Sequence, residues 1–182
     1  LRLINEDVYA TAGEDTLVSE STHAAYRSLL GGIAWLTQTM ISICVYVSSL
    51  QSQGKGPKVK DVRNINRLLG WIRAKRDNLG IRYVELPQPW RIVCVSDSAF
   101  KAEEFQGLAM RGGLIVLVSM NTDLAINNTH KCIALDWYSR KHTHVVRSTC
   151  AIELYSCLDA VGQAILINLT MHEIRYGHRP VQ

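Results

Sequence analysis

The hydrophobic period changes about midway along the chain. From Leu29 the apolar positions Leu29, Ile33, Leu36, Met40, Ile43, Val47 and Leu50 recur at steps of three and four, with Ser28, Gly32, Thr39, Ser42 and Ser49 between them. That spacing gathers the apolar side chains on one stripe and predicts a single amphipathic helix across the stretch. Gln51-Ser-Gln-Gly-Lys-Gly-Pro57 then breaks the pattern with two Gly and a Pro. A second helix is predicted at about 58–77, with Val59, Val62, Ile65, Leu68, Leu69 and Ile72 on one face and an αL cap in Asn78-Leu-Gly80.

Beyond that cap the period shortens. Residues 80–86 read as a short strand, and Pro87-Gln-Pro89 forms a stiff joint that suggests a domain boundary. Residues 92–96, 113–119 and 132–138 are β-type runs separated by polar connections. Residues 148–174 form a long helical pattern with Leu154, Leu158, Val161, Ile165 and Leu169 as its stripe. Three strands followed by a long helix make an α+β order, expected as an antiparallel meander with the helix laid across one face. The expected organisation is a polar linker or domain remnant at 1–22, a helical segment at 23–86, and a sheet-and-helix domain at 87–182.

Composition supports a globular object. The 182 residues are 47% hydrophobic, with a mean hydropathy of +0.01, enough for one ordinary core or two small ones. The chain has no initiator Met and no basic leader, and Arg179-Pro-Val-Gln182 reads as the opening of another strand; a piece of something longer is therefore expected. Five Cys without a C-x-x-C pair, four of them within apolar stretches, are expected to be buried and reduced. That suits an intracellular setting, cytoplasm or nucleus, in which the sequons at Asn127 and Asn168 carry no meaning.

Charge divides the chain sharply. Residues 1–22 set Arg2 against Glu6, Asp7, Glu14, Asp15 and Glu20, a balance of −4; residues 55–76 set eight cations against Asp61, a balance of +7. Lys58, Lys60, Arg63, Arg67, Arg73, Lys75 and Arg76 fall around the second helix outside its apolar face, where they can displace counterions from nucleic-acid phosphates. The plainer reading of such a charge run is a solvated helix face. A different alternative comes from the charge-free interval between Arg27 and Lys55, long enough for a membrane anchor over 28–50. Thr37, Gln38, Thr39, Ser42, Ser48 and Ser49 within it argue for a buried helix instead.

Two carboxylates stand out as candidate chemistry. Asp97 closes the apolar run Arg91-Ile-Val-Cys-Val-Ser96, and Glu153 lies in the first turns of the long helix, in Ser148-Thr-Cys-Ala-Ile-Glu153-Leu154. A carboxylate at a strand exit and another at a helix start can together hold a divalent cation against a phosphate. Taken singly, the first reads as a turn residue and the second as a carboxylate favoured by the helix dipole. Other constellations fail: His172-Glu173 has Tyr176 where a zinc motif needs its second His, and Lys141-His-Thr-His144 has no apparent third ligand.

Five segments in order resemble a known family. Tyr26-Arg-Ser-Leu-Leu-Gly-Gly-Ile-Ala-Trp-Leu-Thr37 is similar to the Y-R-S-L-V-G-S-L-x-Y-L-T stretch that follows the reverse transcriptase palm in copia-type retrotransposon Pol polyproteins. Residues 64–76, with Leu68-Leu-Gly-Trp-Ile72, resemble the basic K-R-V-L-R-Y-L-K helix that comes next. Val95-Ser-Asp97-Ser-Ala99 resembles the Y-S-D-A-D strand that opens their ribonuclease H domain. Trp137-Tyr-Ser-Arg-Lys141 resembles W-S-S-K-K, and residues 147–154 resemble L-S-S-T-E-A-E-Y.

The resemblance covers about residues 23–174. It implies the end of a reverse transcriptase followed by a partial RNase H-like domain, acting on RNA–DNA hybrids. Asp97 and Glu153 would then be two of the carboxylates that hold Mg²⁺ for phosphodiester hydrolysis, and the partners would be a hybrid or other nucleic acid and the rest of the polyprotein. The departures are specific. The polymerase motif Y-x-D-D is absent, the family's third Asp would lie beyond Gln182, and the 56-residue interval between Asp97 and Glu153 is long for the family, with 120–131 expected to extend a hairpin. Asp159, six positions after Glu153, falls on a different helix face and does not substitute. An isolated chain with this acidic set is expected to be nearly inactive.

Overall fold

The computed structural model describes residues 1–99, 110–125, 129–142 and 148–177, and the chain divides into two compact units, Leu1–Ile81 and Arg82–Gln182. The division falls ahead of the Pro87-Gln-Pro89 joint that the sequence suggests as the boundary.

In the first unit, α1 (Glu20–Leu36) starts behind Ser19, whose hydroxyl accepts the Thr22 N–H and caps the helix. The single helix expected from Leu29 to Leu50 is in fact two. After α1 the chain turns through Thr37–Met40 and a 3₁₀ turn at Ile41–Ile43 before α2 (Cys44–Gln51). Thr37 Oγ1 donates to the Ala34 carbonyl at 2.7 Å and Thr39 Oγ1 to the Leu36 carbonyl. Such hydroxyls compete with helix propagation and end α1. The apolar stripe survives the break because both helices bury it in one core: Tyr26, Leu29, Leu30 and Ile33 meet Ile43, Val47 and Leu50. Residues 28–50 are thus no single membrane-length helix.

α3 (Val59–Lys75) follows the sequence pattern closely. Asp61 accepts the Lys58 N–H at 2.8 Å and closes the first turn, while Val62, Ile65, Leu68, Leu69 and Ile72 join the same core. The helix ends in a 3₁₀ turn, Arg76–Asn78, and Leu79 is extended. Gly80 takes φ +128°, so the left-handed residue lies beyond the helix end and not in an αL cap. Residues 80–86, expected as a short strand, form none and have no ladder partner among the described residues.

Residues 1–18, expected as a linker, dock on α3. The Val59 N–H donates to the Thr16 carbonyl at 3.0 Å and the Lys60 N–H to the Glu14 carbonyl at 3.0 Å, which satisfies donors that a first helical turn leaves without partners. Leu17 bridges Lys58 in antiparallel fashion. Further along, the buried Asn66 side chain clamps Ile4 on both sides, accepting its N–H at 2.9 Å and donating to its carbonyl at 2.7 Å.

The second unit is the expected meander. β1 (Trp90–Ala99), β2 (Met110–Ser119) and β3 (Ile133–Lys141) pair antiparallel in the order β1-β2-β3, with a bulge at Ile115/Val116. α4 (Thr149–Tyr176) is capped by Ser148, whose hydroxyl accepts the Ala151 N–H. It runs antiparallel to β1: Ser156 Oγ donates to the Asp97 carbonyl at 3.0 Å, and residues 168–176 line a groove with Trp90, Arg91 and Ile92.

The face of α4 that meets the sheet corrects the sequence expectation. Ile152, Ser156 and Ala160 are buried, whereas Leu154, Leu158, Val161, Ile165 and Leu169 are 39–59% exposed. Small residues four apart let the helix approach the sheet closely, and the larger apolar stripe is left outside. Among the described residues, α4 is the one helix long and apolar enough to cross a membrane. The thiols are free, but Cys132, Cys150 and Cys157 are exposed where burial was expected; only Cys44 and Cys94 are partly covered.

Tyr26 is fully buried, and its hydroxyl donates to the Leu50 carbonyl at 2.9 Å, joining α1 to the end of α2. Burial raises its pKa well above the usual tyrosine range, with Asp61 adding to the effect. Tyr26→Phe removes this bond while the Leu50 carbonyl keeps the Gln53 N–H at 3.1 Å. It is expected to lower unfolding stability by about 0.5–1.5 kcal/mol in urea titration, with an unchanged denaturant slope.

Candidate functional site

Asp97 lies two residues from the end of β1, opposite Gly112 of β2, and is exposed. Its Oδ1 accepts the Ser98 N–H at 2.9 Å. Glu153 is half-buried in the second turn of α4, three residues before the Ser156 that bonds to the Asp97 carbonyl. The helix therefore brings its first turns to the strand's exit, as the sequence suggests.

Strand alternation separates the two carboxylates. Residues opposite one another in register share a face, so Asp97 lies with Gly112 and Ser139, and Ser98 lies with Arg111 and Arg140. α4 covers the second face, because Arg111 reaches from it to form an ion pair with Asp159. Asp97 thus projects from one side of the sheet while Glu153 belongs to a helix on the other. Among the described residues no group of three or more His, Cys, Asp or Glu converges as a metal site. Two carboxylates so divided do not fit a two-metal centre.

The seam beneath α4 is polar instead, and sequence reasoning missed most of it. Arg111 is largely buried by its pairing with Asp159. The Tyr138 ring lies against Gly113, where an added Cβ would fall 2.5 Å from it, and the Arg140 guanidinium stacks over that ring at 4.2 Å. Burial, followed by the nearby Asp159 charge, raises the Tyr138 pKa. Asp159 was read from sequence only as failing to replace a missing catalytic residue. Its tie to Arg111 depends on a β2–α4 contact that no spacing along one element reveals.

The basic residues of α3 do lie outward, but several are occupied. Lys58 Nζ and Lys60 Nζ converge on Asp15 Oδ1 at 3.0 and 2.9 Å, and Arg63 Nη1 pairs with Glu14 Oε1 at 3.3 Å. Arg73 donates to the Leu1 carbonyl, and Arg76 lies 3.6 Å from Asp77. Among the described residues Arg67 and Lys75 make no ion pair. Arg67 lines a groove of about 490 Å³ with Tyr46, Ser49, Asn64 and Trp71. The acidic and basic segments that the sequence sets apart thus neutralise one another in part.

No protein-family profile, no characterised protein and no solved structure matches this chain.

Hydrogen bonds from Lys60 and then Lys58 hold the Asp15 carboxyl below its ordinary range, and the same contact raises Lys60. A depressed carboxyl stabilises the folded form above its unfolded pKa and loses that contribution as the pH falls through the folded value. Acidification below about pH 3.9, the ordinary Asp value, is therefore expected to loosen residues 14–18 from α3. Amide hydrogen exchange at Val59 and Lys60 checks this: their protection should fall with pH before that of Ile65 and Leu69.

Proposed function

We propose that the chain derives from the Pol polyprotein of a copia-type retrotransposon. The first unit corresponds to the end of the reverse transcriptase and the second to the N-terminal part of an RNase H-like domain. In the complete polyprotein such a domain hydrolyses the RNA of RNA–DNA hybrids inside the cell, in cytoplasm or nucleus. The observation that carries this reading is the three-stranded meander followed by a long helix antiparallel to β1 and anchored on the Asp97 carbonyl. That order agrees with the five sequence segments and their expected arrangement. Two uncovered surfaces also support it: the outer edge of β1 has no partner strand among the described residues, and the Leu154–Leu158–Ile165 side of α4 is exposed.

The same reading makes the isolated chain a remnant rather than a working nuclease. Mg²⁺, when held in a complete site, would activate water and stabilise the leaving oxygen. Asp97 and Glu153 alone, on opposite sides of the sheet, supply too little negative charge in one place to hold it firmly. A second reading, a non-catalytic nucleic-acid-binding module, draws support from the outward cations of α3. A membrane anchor over 28–50 loses support from the break after Leu36.

Purified chain incubated with an RNA–DNA hybrid and Mg²⁺ is expected to cleave no faster than its Asp97→Asn variant. Codons directly downstream are expected to encode a strand bearing a further Asp. Cleavage by the 182-residue chain that Asp97→Asn abolishes would overturn the incomplete site. Downstream sequence without such a strand would overturn the ancestry.

A further inference from the structure

We propose that the outer face of α3 and the groove beside it bind a single strand of nucleic acid, and that Glu14 and Asp15 occupy that surface as an internal stand-in for its phosphates. The inference rests on the nucleic-acid reading above and goes beyond it in the form of the partner and in its control. Lys60, Asn64, Arg67, Trp71 and Lys75 follow one another at steps of three or four and form one track along the helix, with Arg63 beside it.

The first half of the track already behaves as an anion site. Two ammonium groups converge on a single Asp15 oxygen, and Arg63 takes a second carboxylate one residue away. Carboxylates presented in this way mimic successive phosphate oxygens. They are exposed, and ion pairs of this kind are individually weak, so a polyanion that releases condensed counterions can displace them. Being tethered through the Lys60 N–H to the Glu14 carbonyl, they compete at a high effective concentration until it does.

The second half of the track is open. Trp71 is 40% exposed and Tyr46 57% exposed, and both line the groove with Arg67, which has no competing carboxylate among the described residues. Aromatic faces beside an arginine accept unstacked bases and their phosphate, and the Asn64 amide can meet a base edge. A duplex keeps its base faces stacked inside and would leave these rings unused. The track therefore fits a single strand.

The test uses the full chain and a fluorescently labelled twelve-nucleotide oligothymidylate, with anisotropy read across a salt series. The double variant Glu14→Gln, Asp15→Asn keeps the backbone bonds to α3, and circular dichroism checks its fold. It should bind about tenfold more tightly at low salt. Its log K against log salt should be steeper by about 2, as expected when three freed cations each neutralise a single-strand phosphate. Trp71→Leu should weaken binding in both backgrounds, and a blunt duplex of the same length should bind less well than the single strand. Equal affinity of the wild-type and double-variant chains would overturn the stand-in role. Duplex preferred over single strand, or insensitivity to Trp71→Leu, would overturn the base-stacking track. Absence of binding by either chain would overturn the whole inference, while the downstream coding sequence decides the ancestry independently.

Discussion

Backbone polar groups anchor the docked segment in both units. A helix begins with N–H groups that have no intrahelical acceptor, and burying them bare costs free energy comparable to lost hydrogen bonds. In α3 the carbonyls of Thr16 and Glu14 meet two of them, and this fixes the whole acidic segment along the helix. In the second unit the Ser156 hydroxyl, small enough to sit between helix and sheet, bonds to the Asp97 carbonyl and lies 3.4 Å from that of Gly112. Both contacts belong to the main chain on one side. In the first unit the contact is main chain on both sides and leaves the side chains of residues 14–16 free for other work.

That freedom explains the electrostatics of the first unit. Exposed ion pairs contribute little when two mobile side chains must be ordered to make them. Here the backbone bridge at residues 14–18 has already ordered the carboxylates, so Asp15 sits within reach of two lysines without a separate folding cost for the loop. The lowered Asp15 and raised Lys60 pKa values follow from that arrangement. Stability comes from the core of Tyr26, Ile33, Ile43, Ile65 and their neighbours, and the exposed ion pairs add little to it.

The sequence is legible where burial follows one element's own period and illegible where docking depends on another element. The inner face of α3 is readable from Val59 to Ile72 because every apolar position points to the same core. The three strands and their antiparallel order are readable for the same reason. The break after Leu36 escapes notice because α1 and α2 bury a continuous stripe on either side of it, and hydroxyl-to-carbonyl bonds leave no mark on hydrophobic period. The docking of residues 1–18 escapes because it is made largely by backbone. α4 misleads most: its large apolar residues announce a buried face, yet close packing selects Ser156 and Ala160.

The carboxylates of Asp97 and Glu153 illustrate the difference between position in sequence and position in space. Their places at a strand exit and in a helix's first turns are as the sequence suggests, and the hydroxyl of Ser156 ties those two places together. A catalytic pair needs more than neighbouring backbone, because a shared cation requires both side chains on one side of the sheet. Alternation along β1 turns Asp97 away from α4 while it turns Ser98 toward it, and the α4 side is filled by Arg111 and Asp159. Neighbouring backbone positions therefore do not make a shared site: the side of the sheet under α4 is held by the Arg111–Asp159 ion pair, and Asp97 faces away from it.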